Sequence, residues 1–107
     1  MSIGGMLGLA KRANKLISGD LAVKKALSAR KVKLLVVAAD TAIRTKRELN
    51  VIAALNDIPT ITWGSKLELG LQTGRPPRSA VALVDEGMAR AVFEIWQRGV
   101  VSSTNKP

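Results

Sequence analysis

The chain contains no cysteine and no histidine. Without cysteine there is no disulfide framework, thiolate metal site or cysteine nucleophile. Without histidine, the usual general base near neutral pH and the commonest metal ligand are also missing. Serine and threonine hydroxyls are present with no base to activate them, and neither a phosphate-cradling P-loop nor a dinucleotide fingerprint occurs. The glycines of "GGMLG" near the start precede no strand. Three acids follow strand-like segments, Asp40, Asp85 and Glu86, and their simplest role is to cap helices or close turns. The chain therefore reads as a non-enzyme, with no cofactor and no metal site expected.

Aromatic residues are scarce too: one phenylalanine, two tryptophans and no tyrosine. Domains that hold single strands by base stacking need several exposed aromatics on one surface. Phe93 and Trp96 lie three apart in an amphipathic segment, which places them in a core, as is also expected of Trp63. Long apolar runs are missing as well. Stretches such as "LLVVAA" fall far short of the ~20 residues that span a bilayer. The opening "MSIGGMLGLAKR" has no basic segment ahead of an apolar one, so it does not read as a signal peptide. A soluble, cytoplasmic domain without membrane contact is the expectation.

Basic charge, in contrast, is abundant and lopsided. The formal net charge is +9, from 17 Lys and Arg against 8 Asp and Glu. Residues 1–47 hold 11 basic side chains and 2 acidic ones, whereas the remainder holds 6 of each. The whole excess thus lies in the first part of the chain, which points to a polyanionic partner. At 107 residues and 47% hydrophobic, the chain is long enough for one domain with a real core and too short for two.

Helical and extended patterns alternate. "SIGGMLGLAKRANK" places Ile3, Met6, Leu7 and Ala10 at helical spacing, and its cations Lys11, Arg12 and Lys15 suit the negative end of a helix dipole. "KLIS" is short and extended, and a second helix runs from residue 20 to about 30. "VKLLVVAAD" and "SAVALV" are continuous apolar runs, as in strands buried on both faces. "TKRELNVIAALN" opens with Thr45 and Glu48, a capping-box spacing, and carries the inward stripe Leu49, Ile52 and Ala53. "TITW" is a short strand, "GSKLELGLQ" a helix capped by Ser65, and "DEGMARAVFEIWQR" a last helix capped by Asp85. These elements predict an α/β fold, a three-layer α/β/α sandwich around about four strands. Helical crossovers favour mostly parallel strand neighbours, with one antiparallel pair possible. Residues 1–98 form the domain, and residues 99–107 read as a flexible polar tail.

The second helix carries the clearest functional signal. At about 100° per residue, Ala22, Val23, Ala26 and Leu27 fall on one side, and Asp20, Leu21, Lys24, Lys25 and Ser28 on the other. Its N-terminus, after Ser18 and Gly19, offers unpaired N–H groups and a positive dipole end, a natural seat for phosphate. A second candidate is "TGRPPR", where Arg75 and Arg78 stand on a backbone stiffened by Pro76 and Pro77. A preshaped loop loses less entropy on binding.

From about Leu7 to Trp96 the chain resembles the kink-turn RNA-binding family of archaeal and eukaryotic large-subunit ribosomal proteins, and within it the small bacterial YlxQ-type branch. The matching segments are "LGLAKRANKLISG", "VKLLVVAADTA", "TKRELNVIAALNDIPTI", "WGSKLELG" and "TGRPPRSAVALVDEG". Their order and spacing carry the resemblance. It implies a single α/β/α sandwich with a small mixed sheet of about four strands, which grips a sharply bent RNA in which tandem G·A pairs flank an extruded loop. It also implies that Gly19 opens the recognition helix, that Val23 is the small or branched residue four positions on, and that Lys25, followed by Ala26, contacts phosphate. Residues 73–79 would cover the extruded nucleotides. The chain departs from the family pattern at Leu21 and Ala22, where RNA binders carry polar residues that reach base edges. The expectation is a monomeric RNA-binding protein, acting on ribosomal or other structured RNA beside ribosomal proteins, with phosphate contacts and no polar base readout from those two positions. The alternative is a protein-interaction module that kept the fold.

Overall fold

The computed structural model describes residues 2–104, with side-chain environments for residues 2–99. Five helices and four strands follow one another: α1 (Ile3–Arg12), β1 (Leu16–Ser18), α2 (Asp20–Ser28), β2 (Leu34–Val37), α3 (Ile43–Leu55), β3 (Thr60–Thr62), α4 (Lys66–Thr73), β4 (Ala80–Leu83) and α5 (Glu86–Thr104). The strands form one mixed sheet in the order β1-β4-β2-β3. Residues of β2 and β4 are buried throughout, as their unbroken apolar runs require of strands covered on both faces.

Two apolar clusters separate along the period-two alternation of the strands. On one face, Leu34, Val36, Val81 and Leu83 meet Met6, Leu7 and Ala10 of α1, Leu69 of α4 and Val92 of α5. On the other, Leu35, Val37, Ala80 and Ala82 meet Val23 and Leu27 of α2 and Leu49 and Ala53 of α3. The expected sandwich is therefore present. The aromatics sit on the first cluster: Trp63, Phe93 and Trp96 pack against it, and Trp96 Nε1 donates to the Thr62 carbonyl at 3.2 Å.

The sheet is mixed, as the resemblance implied, but with two antiparallel pairs where the crossovers suggested at most one. Only β2–β3 is parallel, while β4 runs antiparallel to both β1 and β2. The cause is local. The segment between β3 and β4 folds back on itself, and Arg78 N donates to the Lys66 carbonyl at 3.0 Å. The chain therefore enters β4 at the end of the sheet where it left β3. A short returning helix does not supply the sheet-long crossover that a parallel neighbour needs.

Three smaller corrections follow. Helix α3 begins at Ile43 after Ala42, with no side-chain cap, so Thr45 and Glu48 lie inside it and form no capping box. The box at Ser65 is present, with Ser65 and Glu68 each bonded to the other's backbone N–H, and Asp85 accepts from Met88 N at 2.9 Å. Ala22, expected on the buried side of α2, is exposed, because the apolar face of this nine-residue helix narrows to Val23, Ala26 and Leu27. The last helix runs to Thr104, since no proline interrupts it, so residues 99–104 are helical and residues 105–107 lie outside the described residues. No helix among the described residues is long and apolar enough to cross a membrane.

Candidate nucleic-acid interface

β1 ends where β4 begins. The antiparallel register pairs Ser18 with Val81, so the start of α2 and the loop of residues 74–79 that feeds β4 emerge side by side. The two segments singled out in the sequence, more than fifty residues apart, thus share one end of the sheet.

Each segment is built for its position. Gly19 has φ 100° and ψ 140°, a conformation that L side chains rarely adopt. It serves as N-cap without a side-chain bond, and the first backbone bond of α2 is Val23 N to Gly19 O at 2.9 Å. The N–H groups of Asp20, Leu21 and Ala22 are therefore left without acceptors in the helix. They point outward with the positive end of the dipole. Leu21 stands beside them, 81% exposed. Asp20, Lys25 and Ser28 are exposed as expected.

The arginine loop is held from below. Gly74 closes α4 in the left-handed conformation, and Arg75 N donates to the Gly70 carbonyl at 2.8 Å. A Cβ on Gly70 would lie 2.5 Å from the Pro76 carbonyl oxygen and 2.7 Å from that of Arg75, so the loop rests directly on the backbone of α4. Buried Thr73 donates to the Leu69 carbonyl at 2.8 Å. Beyond the prolines, Ser79 O accepts from Ala38 N at 2.9 Å and from Thr41 Oγ1 at 3.1 Å. Arg75 and Pro76 are exposed and Arg78 is half-buried. Gly70 and Thr41 were missed by sequence reasoning. A glycine in the middle of "LELGLQ" was a usable signal for a close backbone approach, whereas nothing local marked Thr41.

Two buried polar atoms at this end of the sheet, Ser18 Oγ and Arg78 Nε, have no hydrogen-bond partner among the described residues. Such atoms are uncommon in folded proteins and each costs on the order of 1–3 kcal/mol. Lys24 is in a different state from Lys25. Its Nζ donates to Glu48 Oε2 at 2.7 Å, and Arg44 Nε approaches Glu48 Oε1 at 3.3 Å. The hydrogen bond and charge of Lys24 hold the Glu48 carboxyl below its ordinary value, with Arg44 adding to the effect and desolvation opposing it. Of the candidate cations, Lys24 is thus tied to α3, while Lys25, Arg75 and Arg78 appear in none of the ion pairs among the described residues. Of the other acids after strands, Asp40 Oδ1 accepts from Lys66 N at 2.8 Å, while exposed Glu86 lies 3.7 Å from Arg90. No group of three or more potential metal ligands occurs among the described residues.

This arrangement has parallels among known proteins. A sequence profile described as the ribosomal protein L7Ae/L30e/S12e/Gadd45 family matches residues 1–93. The chain is 32% identical over 91 residues to the RNA-binding protein YlxQ of Bacillus subtilis, covering 84% of this chain and 90% of that one. It is 33% identical over 91 residues to the large ribosomal subunit protein eL30 of Pyrobaculum calidifontis, covering 83% and 90%. A solved Bacillus halodurans protein of unknown function superposes with a TM-score of 0.85 at 29% identity, covering 89% of this chain and 96% of that one. The Giardia lamblia 15.5kD RNA binding protein shares the fold, with a TM-score of 0.76 at 19% identity over 89% and 82% of the two chains. With the profile spanning most of the domain and relatives matched over nearly their whole length, the chain belongs to the ribosomal protein L7Ae/L30e/S12e/Gadd45 family.

Proposed function

We propose that this protein is a non-enzymatic RNA-binding protein that grips a sharply bent, structured RNA, of the kink-turn kind, and works as a monomer in or beside the ribosome. The observation that carries the reading is the Ser18–Val81 register, which sets the open N-terminus of α2 beside the Arg75–Arg78 loop. Phosphates that converge at a bend meet three outward N–H groups, Lys25 and two arginines from two directions. Family membership and relatives named for RNA binding and for the large ribosomal subunit support the same reading.

Recognition is by shape. Leu21 and Ala22 offer no side-chain donor or acceptor to a base edge. The exposed Leu21 instead presents an apolar surface that an unstacked base can cover. Titration of a kink-turn RNA and a straight duplex of equal length tests this. The bent RNA is expected to bind more tightly, and Lys25→Ala to weaken its binding and lower the salt slope by about one. Equal, weak binding to both RNAs that vanishes at moderate salt would refute the shape-specific reading.

A further inference from the structure

A second set of cations lies at the opposite end of the sheet. Helix α1 ends at Arg12, and Asn14 turns the chain with φ 60°. Helix α2 ends at Ser28, and Arg30 does the same with φ 58°. Val84 N donates to Lys15 O at 3.0 Å, and Lys33 N donates to Leu83 O at 2.7 Å. Lys15 and Lys33 therefore flank the last residues of β4, with Lys31 two residues before Lys33. The topology thus gathers Lys11, Arg12, Lys15, Arg30, Lys31 and Lys33 at one end of the molecule. All but the half-buried Lys11 are exposed, and none joins an ion pair among the described residues.

Helix dipoles account for part of this set. Cations in the last turn of a helix are favourable there, but the effect fades within that turn. This explains Lys11 and Arg12, yet leaves Lys15, Lys31 and Lys33, which lie beyond the helix ends, unexplained. The acids at the same end form no ion pair with them among the described residues. Asp85 is engaged with Met88 N, Glu86 lies 3.7 Å from Arg90 and lines a pocket with Lys33, and Asp57 leads into β3 beside the start of β2.

A path connects this end to the interface above. A shallow groove of about 500 Å³ runs between α2 and the free edge of β1, lined by Ile17, Ala22, Ala26 and Ala29, with Lys25 and Lys31 also on its walls. The register continues this surface onto β1. The Val84–Lys15 bond makes Ile17–Ala82 the next hydrogen-bonded pair, so the backbone groups of Leu16 and Ser18 face outward along the free edge. Small side chains allow close approach, and edge N–H groups and lysines can both donate to phosphate.

We infer that the basal cations Lys15, Arg30, Lys31 and Lys33 form a second phosphate-binding surface, which takes one duplex arm of the bound RNA as it runs down the groove beside α2. Nine residues of α2 correspond to about 14 Å, well beyond the Debye length of about 8 Å at physiological salt. The basal cations therefore add little to the field at the bend and need phosphates of their own. At the shorter rise of an A-form duplex, about 3 Å per base pair, the arm must extend about five base pairs past the bend to reach them. The inference rests on the RNA-binding reading above for its ligand, while the basal surface itself is read from this chain's cations.

Two RNAs with the same bend test it, one with an arm of about two base pairs and one of about eight, chosen to fall short of and beyond that distance. The full chain is expected to bind the long-arm RNA about tenfold more tightly at physiological salt, with a salt slope steeper by about two. The triple variant Lys15→Ala/Lys31→Ala/Lys33→Ala, checked for an unchanged melting temperature, should lose that advantage and still bind the short-arm RNA like the parent. Affinity independent of arm length, or a triple variant that weakens both RNAs equally, overturns the inference. Lys25→Ala reports separately, since it should weaken both RNAs. If the bend gives no preference at all, the bent-RNA reading falls. The basal surface then stands only if the triple variant still reduces binding to a straight duplex, and a preference for an acidic protein over that duplex sinks it.

Discussion

The two ends of the sheet are both basic, but they hold their cations differently. At the end where β4 begins, position is over-determined. Gly70 seats the proline loop, Ser79 O takes two hydrogen bonds, and Lys24 and Arg44 are drawn to Glu48. Lys46 is occupied as well, its Nζ donating to the Ala39 carbonyl at 2.8 Å. At the other end, lysines and arginines follow the helix termini on short turns with no ion-pair partners among the described residues. The first arrangement suits recognition of a defined shape. The second suits affinity that is tolerant of geometry and sensitive to salt.

The largest test concerns the core beneath the basal end. Leu83→Ala removes a fully buried side chain where β4 packs on α1 and α5. It should cost about 2–5 kcal/mol of stability, read as a lower melting temperature. Gly70→Ala comes next and acts on one end only. Its new Cβ must displace the loop backbone, a loss of about 1–3 kcal/mol, and preference for bent over straight RNA should fall with it. An unchanged preference would show that the seated loop is not what reads the bend. Lys25→Ala is smaller, lowering the salt slope by about one with little change in stability.

Glu48 gives the smallest effect. Because its folded carboxyl titrates below the ordinary value, the Lys24 pair stabilises the fold above that ordinary value. The contribution is lost as the pH falls through the lower, folded one. Both partners are substantially solvated, so screening keeps the contribution small. Glu48→Gln should flatten that part of the acid unfolding profile. It should also free Lys24, raising the salt slope for RNA by up to about one. A profile identical to the parent's would mean that the pair is of no consequence in solution.

Helix starts were legible where the cap is local and failed where it is not. Ser65 and Glu68 satisfy each other within one turn. Thr45 and Glu48 have the same spacing, but the helix had already begun at Ile43, and Glu48 turns to α2. The functional segments were legible separately: Gly19 through its position before a basic helix, and residues 73–78 through their proline and arginine content. Their adjacency was not, because it depends on the Ser18–Val81 pairing, and pairings between distant strands leave no mark in local periodicity.

By itself, then, the sequence determined the apolar strands, the helices that cover them, the one-sided basic charge and the absence of cysteine and histidine. Each of these is a property of composition or of spacing within a few residues. The tertiary structure decided that β4 runs antiparallel between β1 and β2, because its connection returns to the end where β3 stopped. That single reversal brings the arginine loop to Gly19 and leaves β1 as a free edge. It also places Lys15 and Lys33 on either side of the far end of β4, dividing one basic half of the chain into two separate surfaces.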